Sequence, residues 1–316
     1  MQTIKIDAHV HLWKTQKGLV GGRPVYGIGN GKVNFGGEVR QMMPPYMNDN
    51  QNTVERLIAN MDYAGVNGAV ITQEYIDGNQ DKYLLSAKKK FPDRIKITAL
   101  YEDYKSSNCK FAKQTCEGRE ENDSLSLSKG PLSKGFDGIK ICAGRLADQD
   151  LKKLLPLFKE AELLDKFISI DMADGAKQTD SLEYLIHECP SLRIAIGHFG
   201  MVTTDGWQKQ IELAKNPNVY IESGGLTWLF HKEFYPYPSA IDAILEARDI
   251  CGMEKLMWGS DYPRTMTDIT YIMAVRFIEE TSKLTDDEKR AFLGENAMKF
   301  YGFKGFEPLK PITNML

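Results

Sequence analysis

Two histidines separated by a single residue are the first side chains in this sequence that could do chemistry. His9 and His11 lie in the segment IDAHVHL, where polar and apolar residues alternate. Because successive side chains of a β-strand point to opposite faces, both imidazoles are expected on the same face of a strand. Two neutral imidazoles at that spacing can bind one metal ion, and zinc accepts such nitrogen ligands. The pair alone is weak evidence, because two partly solvated histidines at a strand end would have the same spacing.

Other β-rich segments carry titratable residues at positions that alternate with apolar ones. These residues are Lys140 in GIKIC, Asp171 in FISID, Glu222 in VYIES and Asp261 at the end of LMWGSD. If the segments are strands of one barrel, these side chains point inward and form a ring with the histidine pair, as in an active site. His198 instead shares the alternation of Ile194 and Ile196, so the pattern favours a core or helix-facing position for it.

The positions of these residues depend on the regular alternation of short β-rich segments and helical patterns along the chain. The β-rich segments are 4–12, 68–73, 95–101, 138–142, 167–173, 193–199, 219–223 and 256–261. Strands that alternate with helices form parallel sheets, and eight strands can close into a barrel. The sequence therefore predicts the α/β class and a (β/α)8 TIM barrel that forms a single domain over residues 1–316.

Two long segments interrupt this alternation of strands and helices, and each begins where a predicted strand ends. Residues 14–52 are rich in glycine, proline and asparagine with little periodicity, and residues 102–136 are polar with a low-complexity run. Loops that follow barrel strands lie on the catalytic face, so both insertions are expected there as lids or pocket walls. A flexible surface loop is the alternative, and it suits 102–136 better than 14–52.

Composition limits the functions that this chain can have. Its 316 residues are 42% hydrophobic and 26% charged, which is typical of a globular protein. A net charge of −3 gives no basic surplus for nucleic acid, and no apolar run approaches the roughly 18 residues of a membrane span. The first residues lack a secretory signal, and five cysteines without a CxxC pair fit a reducing, cytoplasmic compartment. The expected partner is a small-molecule substrate, and a homodimer stays open.

Several segments, in this order, resemble the amidohydrolase superfamily, and within it the amidohydrolase-2 branch. The matching pieces are IDAHVHLW at the start, TVERLIANMDYAGVNGAVI after the first insertion, GFDGIKI, RIAIGHFG, NPNVYIESGGL, KLMWGSDYP and the closing LTDDEKRAFLGENAMKFYGF. That branch contains lactonases, non-oxidative decarboxylases and hydratases on a TIM barrel. The resemblance therefore implies an enzyme, and it implies the same barrel that the alternation predicts.

The resemblance also implies roles for individual residues. His9 and His11 match the metal-binding pair, and Asp261 matches an aspartate that is both a metal ligand and the base that activates water. His198 matches a histidine that stabilises the substrate or the developing negative charge, which overrules the alternation. Many members have a histidine at the end of strand five, where this chain has Asp171. Asp171 is either a replacement ligand or the mark of a site with weak metal binding or none.

One divalent metal ion is the implied cofactor, with zinc expected and manganese or a metal-free site as alternatives. The absent strand-five histidine argues against a two-metal site bridged by a carboxylated Lys140. Lys140 and Arg264 are then predicted as charges for a substrate carboxylate. Glu222 and His231 complete the predicted substrate-binding set, although a surface role for His231 would also fit its loop position.

The predicted function is hydrolysis of a small lactone, sugar-derived or carboxylated, by water that Asp261 activates. The segment from Trp207 to Leu226 resembles the lactonase members more than others. A non-oxidative decarboxylase of an aromatic or unsaturated acid is the alternative, because the same ligands would serve it. A non-catalytic barrel that binds a small ligand is the second alternative, motivated by the change at Asp171.

Overall fold

The structure, a computed structural model, describes residues 3–102, 135–310 and 312. The predicted insertion at 102–136 therefore lies almost wholly outside the described residues. The insertion at 14–52 lies within them.

Eight parallel strands form the main sheet of the described chain, and they neighbour one another in chain order. They are β1 (Ile6–Val10), β6 (Gly68–Ile71), β7 (Ile95–Leu100), β8 (Gly138–Cys142), β9 (Phe167–Asp171), β10 (Ile194–Ile196), β11 (Val219–Glu222) and β12 (Leu256–Met257). Hydrogen bonds from Ala8 N to Trp258 O and from Asp261 N to His9 O, each 2.9 Å long, join the first strand to the last segment. The predicted (β/α)8 barrel is confirmed, with all eight strands in the predicted segments.

Helices follow most of the strands and cover the outside of the barrel. The α-helices of the described residues are α1 (Val54–Ala64), α2 (Asp81–Lys90), α3 (Leu155–Leu163), α4 (Thr179–Glu188), α5 (Gln208–Glu212), α6 (Leu226–Leu229), α7 (Pro238–Cys251), α8 (Tyr271–Glu280), α9 (Asp286–Arg290) and α10 (Asn296–Tyr301). Helix α1 begins at the N-cap Thr53 and ends at Gly65, whose φ of +69° suits glycine. Its buried residues recur at three- and four-residue spacing, which gives one apolar face for the barrel.

The apolar residues of the strands divide into two clusters. Isoleucines such as Ile139, Ile168 and Ile194 belong to the large cluster that contains the inner faces of the helices. Phe167 and Tyr220, which alternate with these isoleucines, belong to a smaller cluster with aromatic residues of α10. This second cluster fills the barrel interior near the amino-terminal ends of the strands. The polar residues near the carboxyl ends surround a cavity instead.

The alternation predicted for the first strand is wrong in its first half. Strict alternation in IDAHVHL places Asp7 on the same face as His9 and His11, but the register with β6 shifts between Asp7 and Val10. Such a β-bulge adds one residue and reverses the side-chain alternation beyond it. The Asp7 carboxylate consequently accepts hydrogen bonds from Ser260 and from the Tyr271 hydroxyl of α8 instead of facing the site.

The insertion at 14–52 contains regular structure, contrary to its weak periodicity. It forms a four-stranded antiparallel sheet of β2 (Lys17–Val20), β3 (Arg23–Gly29), β4 (Lys32–Phe35) and β5 (Glu38–Gln41). The strands are short, and glycines with positive φ lie in the turns between them. Little of this sheet is buried, which explains why the sequence lacks a clear alternation here.

Within the described residues, no helix has both the length and the apolar composition that crossing a membrane requires.

Candidate active site

The carboxyl ends of the barrel strands surround a cavity of about 1160 Å³. Six of the predicted site residues line it, namely His11, Asp171, His198, His231, Asp261 and Arg264. The other three, His9, Lys140 and Glu222, are fully buried. The insertion adds Phe35, Arg40, Gln41 and Met42 to the lining. Strand ends and insertion therefore enclose one space.

Three side chains at this cavity bring their nitrogen and oxygen atoms together. The Nε2 atoms of His9 and His11 lie 3.1 Å apart. Asp261 Oδ1 lies 2.9 Å from Nε2 of His11 and 3.9 Å from Nε2 of His9. Among the described residues, Asp261 Oδ1 is buried without a partner in hydrogen-bonding geometry. The three atoms form a compact triangle, which we call the His–His–Asp triangle.

Asp261 reaches the triangle through an unusual backbone conformation. Strand β12 ends at Met257, and Asp261 has a φ of +59°, which is rare for a residue with a side chain. Its other carboxylate oxygen, Oδ2, accepts a hydrogen bond of 2.6 Å from the indole nitrogen of Trp228. Positive φ values at non-glycine residues concentrate at functional sites.

The surroundings favour a neutral His11 beside an ionised Asp261. Burial and the nearby Arg264 cation hold the pKa of His11 well below its usual value. Burial alone would raise the pKa of Asp261, but His11 and Arg264 outweigh it and hold this pKa far below its usual range. A neutral imidazole and a carboxylate are the protonation states that metal ligands need.

Glu222 lies behind His9 rather than at the cavity wall, so the structure gives it a different position from the predicted substrate contact. Its Oε1 lies 2.6 Å from His9 Nδ1, and its Oε2 accepts a hydrogen bond from Gly224 N. This carboxylate directs the proton of a neutral His9 to Nδ1, which leaves a lone pair on Nε2 inside the triangle. A carboxylate behind a metal-binding histidine typically fixes the ring in this way.

Replacing Glu222 with glutamine is expected to weaken Zn²⁺ binding about 10- to 100-fold. Glutamine has only one acceptor oxygen, so it cannot serve both His9 Nδ1 and Gly224 N. Titration of Zn²⁺ against a competing chelator measures the change. The exposed Glu212, which pairs with Lys209, supplies the matched control Glu212→Gln, and an equal loss in both variants would contradict the role of Glu222.

Lys140 and His198 lie on either side of the Asp171 carboxylate. Lys140 Nζ is 2.5 Å from Asp171 Oδ1, and His198 Nε2 is 3.6 Å from Asp171 Oδ2. The charge of Lys140 is therefore taken up by Asp171 instead of facing a substrate. The ligand atoms of His9, Asp171 and His198 also lie within 4.8 Å of one another, so Asp171 stays a candidate ligand.

Interactions among Lys140, Asp171 and His198 favour the charged form of each side chain. Burial opposes charge on Lys140, but Asp171 outweighs it and raises the lysine pKa. Burial likewise opposes ionisation of Asp171, yet Lys140 and His198 hold its pKa well below the usual value. Burial would lower the pKa of His198, but Asp171 raises it to about 9. His198 is therefore a cation at neutral pH.

His198 lines the cavity because its strand ends early. Strand β10 stops at Ile196, and His198 has a φ of +53°, so the alternation no longer applies. The preceding residue must be small, since a Cβ on Gly197 would lie 2.1 Å from Asp171 Oδ1. His198 Nδ1 lies 2.9 Å from the carbonyl oxygen of Gly224, which fixes the ring.

The remaining two predicted residues lie at the cavity with partners of their own. Arg264 donates to both oxygens of Asp77 at 2.8 and 2.9 Å and lies 3.6 Å from Asp261 Oδ1. His231 is exposed, and its Nδ1 lies 2.7 Å from Trp228 O. The charge of Arg264 is therefore shared between Asp77 and Asp261. His231 uses Nδ1 for its contact with the Trp228 carbonyl oxygen, and this leaves Nε2 on the other side of the ring.

Sequence reasoning missed three residues at this site. Asp77 lies in the loop after β6 and holds Arg264, Glu74 pairs with Arg145 on the cavity lining, and Trp228 binds Asp261. Asp77 and Glu74 lie beyond a predicted strand, where alternation gives no guide. Trp228 lies in the helix Leu226–Leu229, three residues before the predicted site residue His231, and this spacing is the signal that could have found it.

The His–His–Asp triangle fits a divalent metal ion. It offers two imidazole nitrogens and one carboxylate oxygen within 4.8 Å of one another, and all three residues are buried. A buried carboxylate oxygen without a donor is costly unless a cation approaches it. Zinc and manganese both accept this set of nitrogen and oxygen ligands.

Comparisons with known proteins identify the family of this chain and its fold. A family model described as amidohydrolase matches residues 132–303, just over half of the chain. No curated protein sequence matches.

Solved structures provide the other likenesses. A protein from Pseudomonas putida, provisionally named a 2-pyrone-4,6-dicarboxylic acid hydrolase, is 20% identical with a TM-score of 0.63 over 96% of this chain and 99% of its own. An amidohydrolase from Burkholderia multivorans with bound zinc is 16% identical with a TM-score of 0.62, over 95% and 99% of the two chains. The manganese-bound 5-carboxyvanillate decarboxylase of Novosphingobium aromaticivorans is 18% identical with a TM-score of 0.51, over 78% and 79%. At these identities the likeness establishes the barrel fold.

Proposed function

Because the chain belongs to the amidohydrolase family, we propose that it is a metal-assisted hydrolase that opens a small lactone ring. The observation that carries this proposal is the His–His–Asp triangle, in which Asp261 Oδ1 lies 2.9 Å from His11 Nε2 and has no donor in hydrogen-bonding geometry among the described residues. A lactone hydrolase needs a water activated beside the carbonyl carbon, and the triangle supplies both a cation site and a base.

His9, His11 and Asp261 would hold one zinc or manganese ion. Such an ion lowers the pKa of a bound water toward about 7 and polarises a carbonyl group. Asp261 would accept the proton of the attacking water, and the hydrogen bond from Trp228 to Oδ2 holds its carboxylate in place. The water oxygen bonds to the carbonyl carbon, the ring C–O bond breaks, and the proton passes to the departing ring oxygen.

His198 and the cavity lining serve the rest of the reaction. The imidazolium of His198 lies beside His9, with ring centroids 4.6 Å apart, and it stabilises the oxygen that gains negative charge. Lys177 lies on the cavity lining, and Arg145 lies there paired with Glu74, so both would place positive charge near an acidic substituent on the substrate. A carboxylated lactone, like that in the name of the P. putida protein, suits these groups better than a neutral sugar lactone.

A non-oxidative decarboxylase is the second candidate, favoured by the likeness to the manganese-bound 5-carboxyvanillate decarboxylase. In that reaction Asp261 would deliver a proton to carbon as carbon dioxide leaves. The same triangle would serve it, so the distinction depends on the substrate.

A substrate panel separates the candidates. Zinc- and manganese-loaded protein is offered carboxylated lactones, sugar lactones and aromatic carboxylic acids, with acid release and carbon dioxide measured in parallel. We expect acid release from a lactone without carbon dioxide, and its loss after chelation. Carbon dioxide from an aromatic acid would favour the decarboxylase, and no turnover of any compound would favour a ligand-binding barrel.

A further inference from the structure

Trp228 assigns different tasks to the two oxygens of the Asp261 carboxylate. Its indole nitrogen donates to Oδ2 at 2.6 Å, whereas Oδ1 has no donor in hydrogen-bonding geometry among the described residues. Oδ1 is also the oxygen that lies 2.9 Å from His11 Nε2. We propose that Trp228 is a positioning residue that keeps Oδ1 of Asp261 turned toward the two histidines and free to bind the metal.

The chemistry of indole permits only one direction for this hydrogen bond, from Trp228 to Asp261. An indole N–H only donates, whereas a hydroxyl or an imidazole could also accept and would permit other arrangements. A free carboxylate rotates about its last bond with a broad, two-fold preference, so an ordered donor on one oxygen selects one orientation.

The indole itself is held in place by its surroundings. Trp228 lies in the short helix α6, which begins directly after Gly225. A Cβ added to Gly225 would lie 2.0 Å from the indole nitrogen of Trp228. The indole also meets the ring of His198 edge-on, with centroids 6.0 Å apart. Trp228 therefore contacts two residues of the proposed mechanism, and glycine at position 225 makes room for it.

The inference rests on the proposed metal site, and its test measures metal affinity rather than activity. Trp228→Phe keeps an aromatic ring but removes the donor. Outer hydrogen-bond partners of metal ligands typically contribute 10- to 100-fold in affinity, so a loss of that size is expected when Zn²⁺ is titrated against a chelator. A single cooperative urea unfolding transition of the metal-free variant is expected, and it separates a loss of Zn²⁺ affinity from a loss of the fold.

Trp207→Phe is the matched control, because Trp207 is buried against Phe199 and the described residues form no hydrogen bond with its indole nitrogen. Gly225→Ala is a second variant that keeps the indole but pushes it away from Asp261, and it should weaken Zn²⁺ binding as well. Wild-type affinity in Trp228→Phe would overturn the inference and leave the proposed function standing. A wild type that binds no Zn²⁺ would overturn both.

Discussion

Replacing Asp261 with asparagine is expected to lower turnover about 10³-fold while the protein stays folded. Trp228 N–H needs an acceptor, so the amide oxygen of the asparagine will take the place of Oδ2. The amide NH₂ then faces the histidine nitrogens, where it can neither bind a cation nor accept a proton. Initial rates with the best substrate of the panel measure the effect.

Asp174→Asn is the matched control, because Asp174 is an exposed carboxylate on the lining of the same cavity. We expect it to retain turnover within a few fold of the wild type. Retained turnover in Asp261→Asn would remove Asp261 from the mechanism and would leave the site without a base.

Replacing Lys140 with methionine is expected to destabilise the protein by about 3 kcal/mol, because it leaves the Asp171 carboxylate with only the more distant His198 imidazolium. Lys140 has no exposed surface and the Asp171 side chain is only 16% exposed, so water replaces the lost partner incompletely. Urea unfolding of the metal-free protein measures the loss.

Two variants test whether this loss comes from the unpaired charge. Lys90→Met breaks the exposed ion pair with Glu55 and should cost less than about 1 kcal/mol. The double variant Lys140→Met/Asp171→Leu removes both charges and should be more stable than Lys140→Met alone. Equal losses for Lys140→Met and Lys90→Met would show that the buried pair contributes little.

The sequence predicts the barrel well because the barrel depends on alternation that most strands obey. Lys140, Asp171 and Glu222 all point inward from the strands on which alternation places them. The first strand obeys it only beyond a bulge, since a single extra residue near Ala8 turns Asp7 away while His9 and His11 still face the site. No pattern of residue types announces such a bulge.

The site is less predictable where it is built from residues outside the strands. His198 follows the end of β10 in a left-handed conformation, so alternation placed it wrongly and only the family resemblance placed it at the site. Alternation turned the charges of Lys140 and Glu222 toward a substrate. In the structure Lys140 pairs with Asp171 and Glu222 pairs with His9 instead. Asp77 comes from a loop and Trp228 from the short helix α6, and the course of both segments depends on the tertiary structure.

The metal content of the protein tests the central claim most directly. Protein purified without chelator is analysed for zinc and manganese, before and after soaking with each ion, beside His9→Ala/His11→Ala prepared in the same way. The account predicts about one equivalent of metal in the wild type and its loss in the double variant. A wild type that holds neither ion after soaking would contradict the metal-assisted mechanism, and equal metal in the double variant would contradict the His–His–Asp triangle as its site.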